Sequence, residues 1–225
     1  MPKKQPPNDT PAKKRVLIVD DHPIFRAGLT SLVNLEAELT VCGEANDATQ
    51  AMHAFDKLHP DLVLLDMSLP GKGGLELLKD IRALSPQTPV LIISMHDETL
   101  YAERVIKAGG RGYIMKQEGP EKIAQAIRKV LSGSISVSER IAAQILDAMS
   151  GSKSGMSNSV STLTDREFDV YRLLGQGKEP HDIARTLHLS IKTVDTHRAH
   201  IRQKLGLRNA TELIHHATRW AAEQG

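Results

Sequence analysis

The sequence is poor in the features that would place it outside a soluble interior. It holds one cysteine, Cys42, which excludes an internal disulfide and any multi-cysteine metal site. No apolar run approaches the ~18 residues that a membrane span needs. The opening MPKKQPPNDTPAKKRV has no apolar stretch of the kind a secretory signal carries, and it is proline-rich without an amphipathic period, unlike a mitochondrial presequence. A soluble, cytoplasmic protein with no membrane partner is expected.

Net charge is also small, at +2, but it is unevenly spread. Residues 1–15 carry +4, residues 161–225 carry +2, and the stretch between them sums to −4. Six of the ten histidines lie in the last segment. An acidic front and a mildly basic rear fit a cation site in one part and nucleic acid near the other.

What is present is a regular alternation of short apolar runs and amphipathic stretches. RVLIVD, LTVCGEA, DLVLLD, PVLIIS and GYIM read as five buried parallel strands, rich in Val, Ile and Leu. Helical stretches fall near 23–35, 47–58, 73–84, 97–108 and 120–132. The pattern predicts an α/β fold, a doubly wound five-stranded parallel sheet, with its functional crevice outside the carboxyl ends of the strands. A further helix is expected at 138–149, followed by SGSKSGMSNSVST, a Ser/Gly-rich tether. Four helices then fit in about 60 residues: Thr164-Asp165-Arg166-Glu167 is a capping box, Pro180 suits a first turn, and Ser190 and Asn209 are caps.

The strand ends carry the chemistry. Asp20-Asp21 follows the first strand, Asp66 ends the third, Ser94 ends the fourth, and Lys116 follows the fifth. Any one of these acids could be a turn or cap residue. A sheet has no structural need for three acids, a hydroxyl and a lysine at one edge. Clustered carboxylates repel unless a cation sits among them, and a few hard oxygen ligands suit Mg²⁺. Asp66 could then act as a carboxylate nucleophile toward phosphorus, with Lys116 and Ser94 meeting the phosphoryl oxygens. His22 reads more simply as a helix-start residue than as a ligand. His96 is expected at the pocket rim, and Cys42 in the core.

In the rear segment, Ile183, Ala184 and Leu187 form one apolar face, and Val194, Ile201 and Leu205 another. Lys192, Thr196, Ala199 and Gln203 lie opposite, flanked by Asp195 and Arg202. That is the layout of a helix-turn-helix, with its second helix as the recognition element. Arg198 and Lys204 are expected to reach DNA phosphates, and His197 to lie near the core.

On these segments the resemblance is specific. VDDHPIFRAGL, DLVLLDMSLPGKGGLE, ISMH and KAGGRGYIMK match the motifs of a receiver domain, in order. TDRE, GQGKEPHDIA and SIKTVDTHRAHIRQKLG resemble the LuxR-type output domain of the NarL/FixJ response regulators. The likeness covers roughly four-fifths of the chain. It implies a disordered basic tail at 1–14, a receiver domain (flavodoxin-like) at 15–132, a linker with a helix at 133–162, and a small all-α helix-turn-helix domain at 163–225. It also implies that Asp66 accepts phosphate from a sensor histidine kinase, and that the chain is a transcription factor and not an enzyme. Mg²⁺ would be held by Asp21, Asp66 and the carbonyl of Ser68, with Asp20 acting through water. Ser94 and Tyr113 would be the switch pair, and Lys116 the phosphoryl contact. Double-stranded DNA would meet Lys192, Thr193, Asp195, Thr196, Arg198, Ala199, Arg202 and Lys204. A homodimer would form through Leu213, Ile214, Ala217 and Trp220 when the protein is phosphorylated.

Three departures from the pattern are Gly110 in place of the usual Ala, Gln117 after Lys116, and Lys178-Glu179-Pro180-His181 ahead of the second output helix. A phosphatase of the aspartyl-nucleophile kind is the rival reading; Ser68 stands where it would need a second Asp, and it has no use for a helix-turn-helix. A DNA-binding protein with a vestigial receiver is the other, but no pocket group is missing. The tether further suggests that the unphosphorylated receiver docks over the recognition helix, hiding Lys192 and Arg202.

Overall fold

The computed structural model describes residues 12–149, 160 and 162–224. Most of the basic tail, and nearly all of the Ser/Gly-rich tether at 150–162, lie outside these residues.

Five β/α units come first. They are β1 (Lys14–Val19), α1 (Pro23–Leu35), β2 (Leu39–Ala45), α2 (Ala48–Leu58), β3 (Leu62–Asp66), α3 (Gly74–Leu84), β4 (Val90–Ser94), α4 (Glu98–Lys107), β5 (Gly112–Met115) and α5 (Pro120–Leu131). The sheet is parallel throughout, in the order β2-β1-β3-β4-β5. The strand order reverses between β1 and β3, so a crevice opens beyond their carboxyl ends, where Asp20 and Asp66 sit. Helices cover both faces, which is why the strands read as unbroken apolar runs.

Alternate residues feed two cores. Val16, Ile18, Leu62, Leu64, Leu91 and Ile93 pack toward α1 and α5. Leu17, Val19, Val63, Leu65, Val90 and Ile92 pack toward α2, α3 and α4. Two glycines allow close approaches. A Cβ on Gly74, at the start of α3, would lie 2.2 Å from the carbonyl oxygen of Asp66. A Cβ on Gly110 would lie 2.5 Å from Val105 Cγ1, which explains why Ala is not found there.

After α5 the chain passes beside the edge strand β5. Tyr113 N–H donates to the Ser136 carbonyl (2.9 Å), and Ser136 N–H to that of Arg111 (2.9 Å). Then follow α6 (Glu139–Met149) and four helices: α7 (Asp165–Gly175), α8 (Pro180–Thr186), α9 (Ile191–Leu205) and α10 (Ala210–Gln224). Their starts are the ones the sequence marks. Thr164 and Glu167 form a reciprocal capping box on α7, Ser190 caps α9, and Asn209 accepts from Glu212 N–H. Gly206 ends α9 in the left-handed region at φ 67°.

The helical part does not hang free of the sheet. Phe168, Tyr171, Leu174, Ile183, Val194, Ile201, Leu213 and Trp220 form its core, and that core is continuous with the α2–α4 side of the receiver through Tyr101, Val160 and Leu163.

Candidate phosphoryl pocket and nucleic-acid interface

The strand ends converge as the pattern of acids requires. Asp20 and Asp66 are buried, and Lys116, itself nearly covered, bridges them: its Nζ lies 2.7 Å from Asp20 Oδ2 and 2.8 Å from Asp66 Oδ2. The Phe25 ring supports the ammonium at 4.7 Å. Burial pushes the Asp66 carboxyl above its ordinary pKa, and the Lys116 charge only partly opposes this. The other Asp66 oxygen accepts from Ser68 N–H at 3.2 Å.

Asp20, Asp21, His22 and Asp66 each bring a ligand atom into one group within 4.8 Å. His22 is the N-cap of α1, the helix-start place that the sequence indicates, and its ring also meets the acids. Its Nδ1 lies 2.7 Å from Asp21 Oδ1 and 3.4 Å from Asp20 Oδ1. Asp20 Oδ2 and Asp21 Oδ1 are buried, and beyond the charged contacts with Lys116 and His22 neither accepts a hydrogen bond among the described residues. Such a donor set, hard oxygens with lone pairs to spare, fits a divalent cation.

Ser94 is fully buried at the end of β4, and its Oγ accepts from His96 N–H (3.0 Å). Tyr113 is buried on β5, and its hydroxyl donates to the His96 carbonyl (2.8 Å). Burial also raises the Tyr113 phenol well above its usual pKa. The His96 ring lies 3.0 Å from Ser68 Oγ through Nε2 and stacks on Tyr101 with centroids 5.1 Å apart. Burial, with the charges of Arg172 and Lys116, holds the His96 pKa down to about 4, so the ring is neutral at pH 7.

Tyr101 leads across to the output helices. Its hydroxyl donates to Asp169 Oδ1 (2.7 Å) and accepts from Arg172 Nε (3.1 Å). Arg104 donates to the carbonyls of Leu163 (3.0 Å) and Val160 (2.9 Å), and Lys79 pairs with Asp165 (2.7 Å). Arg166 donates to the Gly71 carbonyl in the loop after Asp66. A cavity of about 350 Å³ lies between the two parts, lined by Asp21 and Ser68 on one side and by Arg166, Asp169 and Arg172 on the other. Sequence reading gave no role to Tyr101, Arg104, Asp169 or Arg172. Each is an ordinary polar residue of an amphipathic helix until the partner surface is known.

On α9, Lys192, Asp195, Thr196, Ala199 and Gln203 are exposed on one side, while Val194 and Ile201 are buried on the other. Thr193 sits at the first turn, its N–H donating to Ser190 Oγ, and Arg202 is half-buried. Two of the expected phosphate contacts are engaged within the chain. Arg198 pairs with Asp195 (2.8 Å), and Lys204 with the buried Glu167 (2.7 Å). His197 is half-buried, as its position near the core face suggests.

Two expectations need correction. Leu213, Ala217 and Trp220 are buried in the core that α10 shares with α7, so they are committed within the chain and not to a dimer interface. Trp220 packs edge-on against Phe168 (5.5 Å). Of the four residues, only Ile214 keeps a substantial exposed surface, at 41%. The receiver does not cover the recognition face either. It grips α7 through α4, and Lys192 remains exposed.

Comparison with known proteins agrees with this architecture. Residues 16–128 match the response regulator receiver domain, and residues 161–217 match the bacterial regulatory proteins of the luxR family. The nitrate/nitrite response regulator protein NarL of Escherichia coli (strain K12) is 33% identical over 207 residues, covering 91% of this chain and 94% of NarL. The oxygen regulatory protein NreC of Staphylococcus aureus (strain JH9) is 32% identical over 208 residues, covering 90% and 96%. Among solved structures, RcsB of Salmonella enterica serovar Typhimurium, bound to the promoter rprA with the phosphomimetic BeF3-, superposes with a TM-score of 0.60 at 25% identity, covering 92% of this chain and 98% of that one. The chain belongs to the LuxR-type family of two-component response regulators, DNA-binding transcription factors that answer to phosphorylation by a histidine kinase.

Proposed function

We propose that Asp66 is the phosphoryl acceptor, and that its phosphorylation sets the affinity of α9 for DNA. The observation that carries this reading is the Lys116 ammonium bridging two buried carboxylates, Asp20 and Asp66, at 2.7 and 2.8 Å. A carboxylate oxygen of Asp66 attacks the phosphorus of a phosphohistidine on the kinase. The O–P bond forms, the N–P bond breaks, and the imidazole leaves.

Asp20, Asp21, Asp66 and the Ser68 carbonyl would hold Mg²⁺. When bound, the ion supplies positive charge that offsets the phosphoryl oxygens and the crowded carboxylates. The chain's own groups do the rest. Lys116 shifts its attention from the carboxylate to the incoming phosphoryl group, and the Ser94 hydroxyl donates to a phosphoryl oxygen. Ser94 then draws on the segment that Tyr113 holds, because both bond to the His96 backbone. Such a change biases a two-state element and is read elsewhere.

At the DNA, Lys192, Thr196 and Ala199 face the major groove, with Thr193, Asp195 and Arg202 flanking. Arg198 and Lys204 reach phosphates once released from Asp195 and Glu167. A homodimer through the Ile214 side of α10 would match paired half-sites. The site of action is the cytoplasm.

Incubation with acetyl phosphate and Mg²⁺ tests the chemistry. Stable label on wild type that is absent from Asp66→Asn supports the assignment. Rapid turnover would favour a phosphatase, and no label would favour a vestigial receiver.

A further inference from the structure

The phosphoryl pocket and the output helices meet at one side chain that the phosphotransfer chemistry does not use. We infer that His96 is the positioning residue that couples the state of the pocket to the docking of the output domain. This rests on the proposal that Asp66 is phosphorylated.

His96 is joined to the pocket three times. Its N–H donates to Ser94 Oγ (3.0 Å), its carbonyl accepts from Tyr113 (2.8 Å), and its Nε2 lies 3.0 Å from Ser68 Oγ. Backbone and ring therefore report on β4, on β5 and on the loop that follows the acceptor. A shift of the Ser94 hydroxyl toward a phosphoryl oxygen withdraws the acceptor of the His96 N–H and moves the residue.

The ring's other face is joined to the output domain. It stacks on Tyr101 at 5.1 Å, with an interplanar angle of 26°. Tyr101 is buried, packs edge-on against Phe168 (5.3 Å), and bonds Asp169 and Arg172. Tyr101 has no room to stay if the ring against it moves, because side chains in a close-packed core do not deform continuously. Movement of His96 thus becomes loss of the Tyr101–Asp169 bond, and the contact between α4 and α7 loosens.

The two functions of the side chain can be separated by substitution. His96→Phe keeps a ring over Tyr101 but cannot bond Ser68. His96→Ala removes both. Neither changes a group placed in the phosphoryl site, so both should take label at Asp66 from acetyl phosphate and Mg²⁺.

The full-length chain, carrying one fluorophore on each domain, reads the docking. DNA enriched by binding from random sequence reads the affinity. In wild type both readouts change on phosphorylation. With His96→Phe the domains stay docked with or without phosphate, and with His96→Ala they stay apart in both states. In each variant the ratio of phosphorylated to unphosphorylated affinity falls to about one, which is zero coupling. A wild-type ratio in a labelled variant overturns the inference. So does a lowered thermal midpoint with the ratio kept, because His96 would then serve only the receiver's stability. If His96→Ala does not fold, His96→Phe decides. A wild type that takes no label overturns the phosphorylation reading, and the inference with it.

Discussion

The guanidinium of Arg104 lies over the face of the Phe168 ring, 4.1 Å from its centre, and so ties α4 of the receiver to α7 of the output domain. The same side chain satisfies the carbonyls of Val160 and Leu163. Hydrogen bonds to charged donors contribute about 1.5–3 kcal/mol each, and a partly desolvated cation–π contact roughly 1 more. Arg104→Ala should therefore weaken domain docking by about 2–4 kcal/mol, after allowing for replacement by water. Small-angle scattering of the unphosphorylated protein should show a larger radius of gyration than wild type. An unchanged radius would mean that Arg104 is not part of the contact that holds the domains together.

Lys116 stands between two buried carboxylates, and its removal leaves both without their cation. Breaking a buried pair by deleting one partner costs about 3–5 kcal/mol. Lys116→Ala should lose stability of that order in urea unfolding without divalent cation, and recover part of it when Mg²⁺ is added. It should still take some label at Asp66 while losing the phosphate-dependent gain in DNA affinity. Full retention of that gain would remove Lys116 from the signalling role.

Much of this was legible in the chain, and for physical reasons. Buried parallel strands show as apolar runs, so the ends that carry Asp20, Asp66, Ser94 and Lys116 can be located from the sequence alone. Thr164 and Glu167 declare a helix start because the capping box is local. Trp220 and Leu213 show the limit. Their spacing says that one side of α10 is buried, but not against what, and the partner is α7. The contacts of Tyr101 with Asp169 and of Arg104 with Leu163 join residues 68 and 59 positions apart, and no periodicity encodes such a meeting. His22 is a helix-start residue as the sequence indicates, but no pattern along the chain points its ring toward Asp20, Asp21 and Asp66.

Glu167 gives the output domain a dependence on acid. Burial alone would raise its carboxyl, but hydrogen bonds from Lys204 and from the Thr164 N–H outweigh that and hold it below the ordinary value of 4.5. A carboxylate depressed in the folded state contributes its stability above the unfolded value and loses it as pH falls through the folded one. The output domain should weaken as pH drops below about 4.5. Glu167→Ala should cost roughly 1–2 kcal/mol at pH 7, through the lost cap and the unpaired Lys204, and should flatten that acid dependence. Thermal unfolding across the pH range checks both, and a variant with the wild-type slope would contradict the assignment.

The exposed side of α9 predicts a division of labour. Arg198→Ala should weaken binding about equally for all DNA sequences and lower the salt slope by roughly one unit, as the loss of one phosphate contact does. Ala199→Lys or Thr196→Ala should instead change which sequences are enriched from a random pool, because these exposed side chains lie on the side of α9 proposed to meet base edges. A change of sequence preference in Arg198→Ala with the salt slope intact would reverse the two roles.

The most direct test is a titration of the full-length protein and of Asp66→Asn against one enriched DNA duplex at matched salt, each with and without acetyl phosphate and Mg²⁺. Wild type should bind more tightly when labelled, and Asp66→Asn should bind equally in both conditions. The same gain in Asp66→Asn, or a labelled wild type whose affinity does not move, would contradict control of DNA binding through this aspartate.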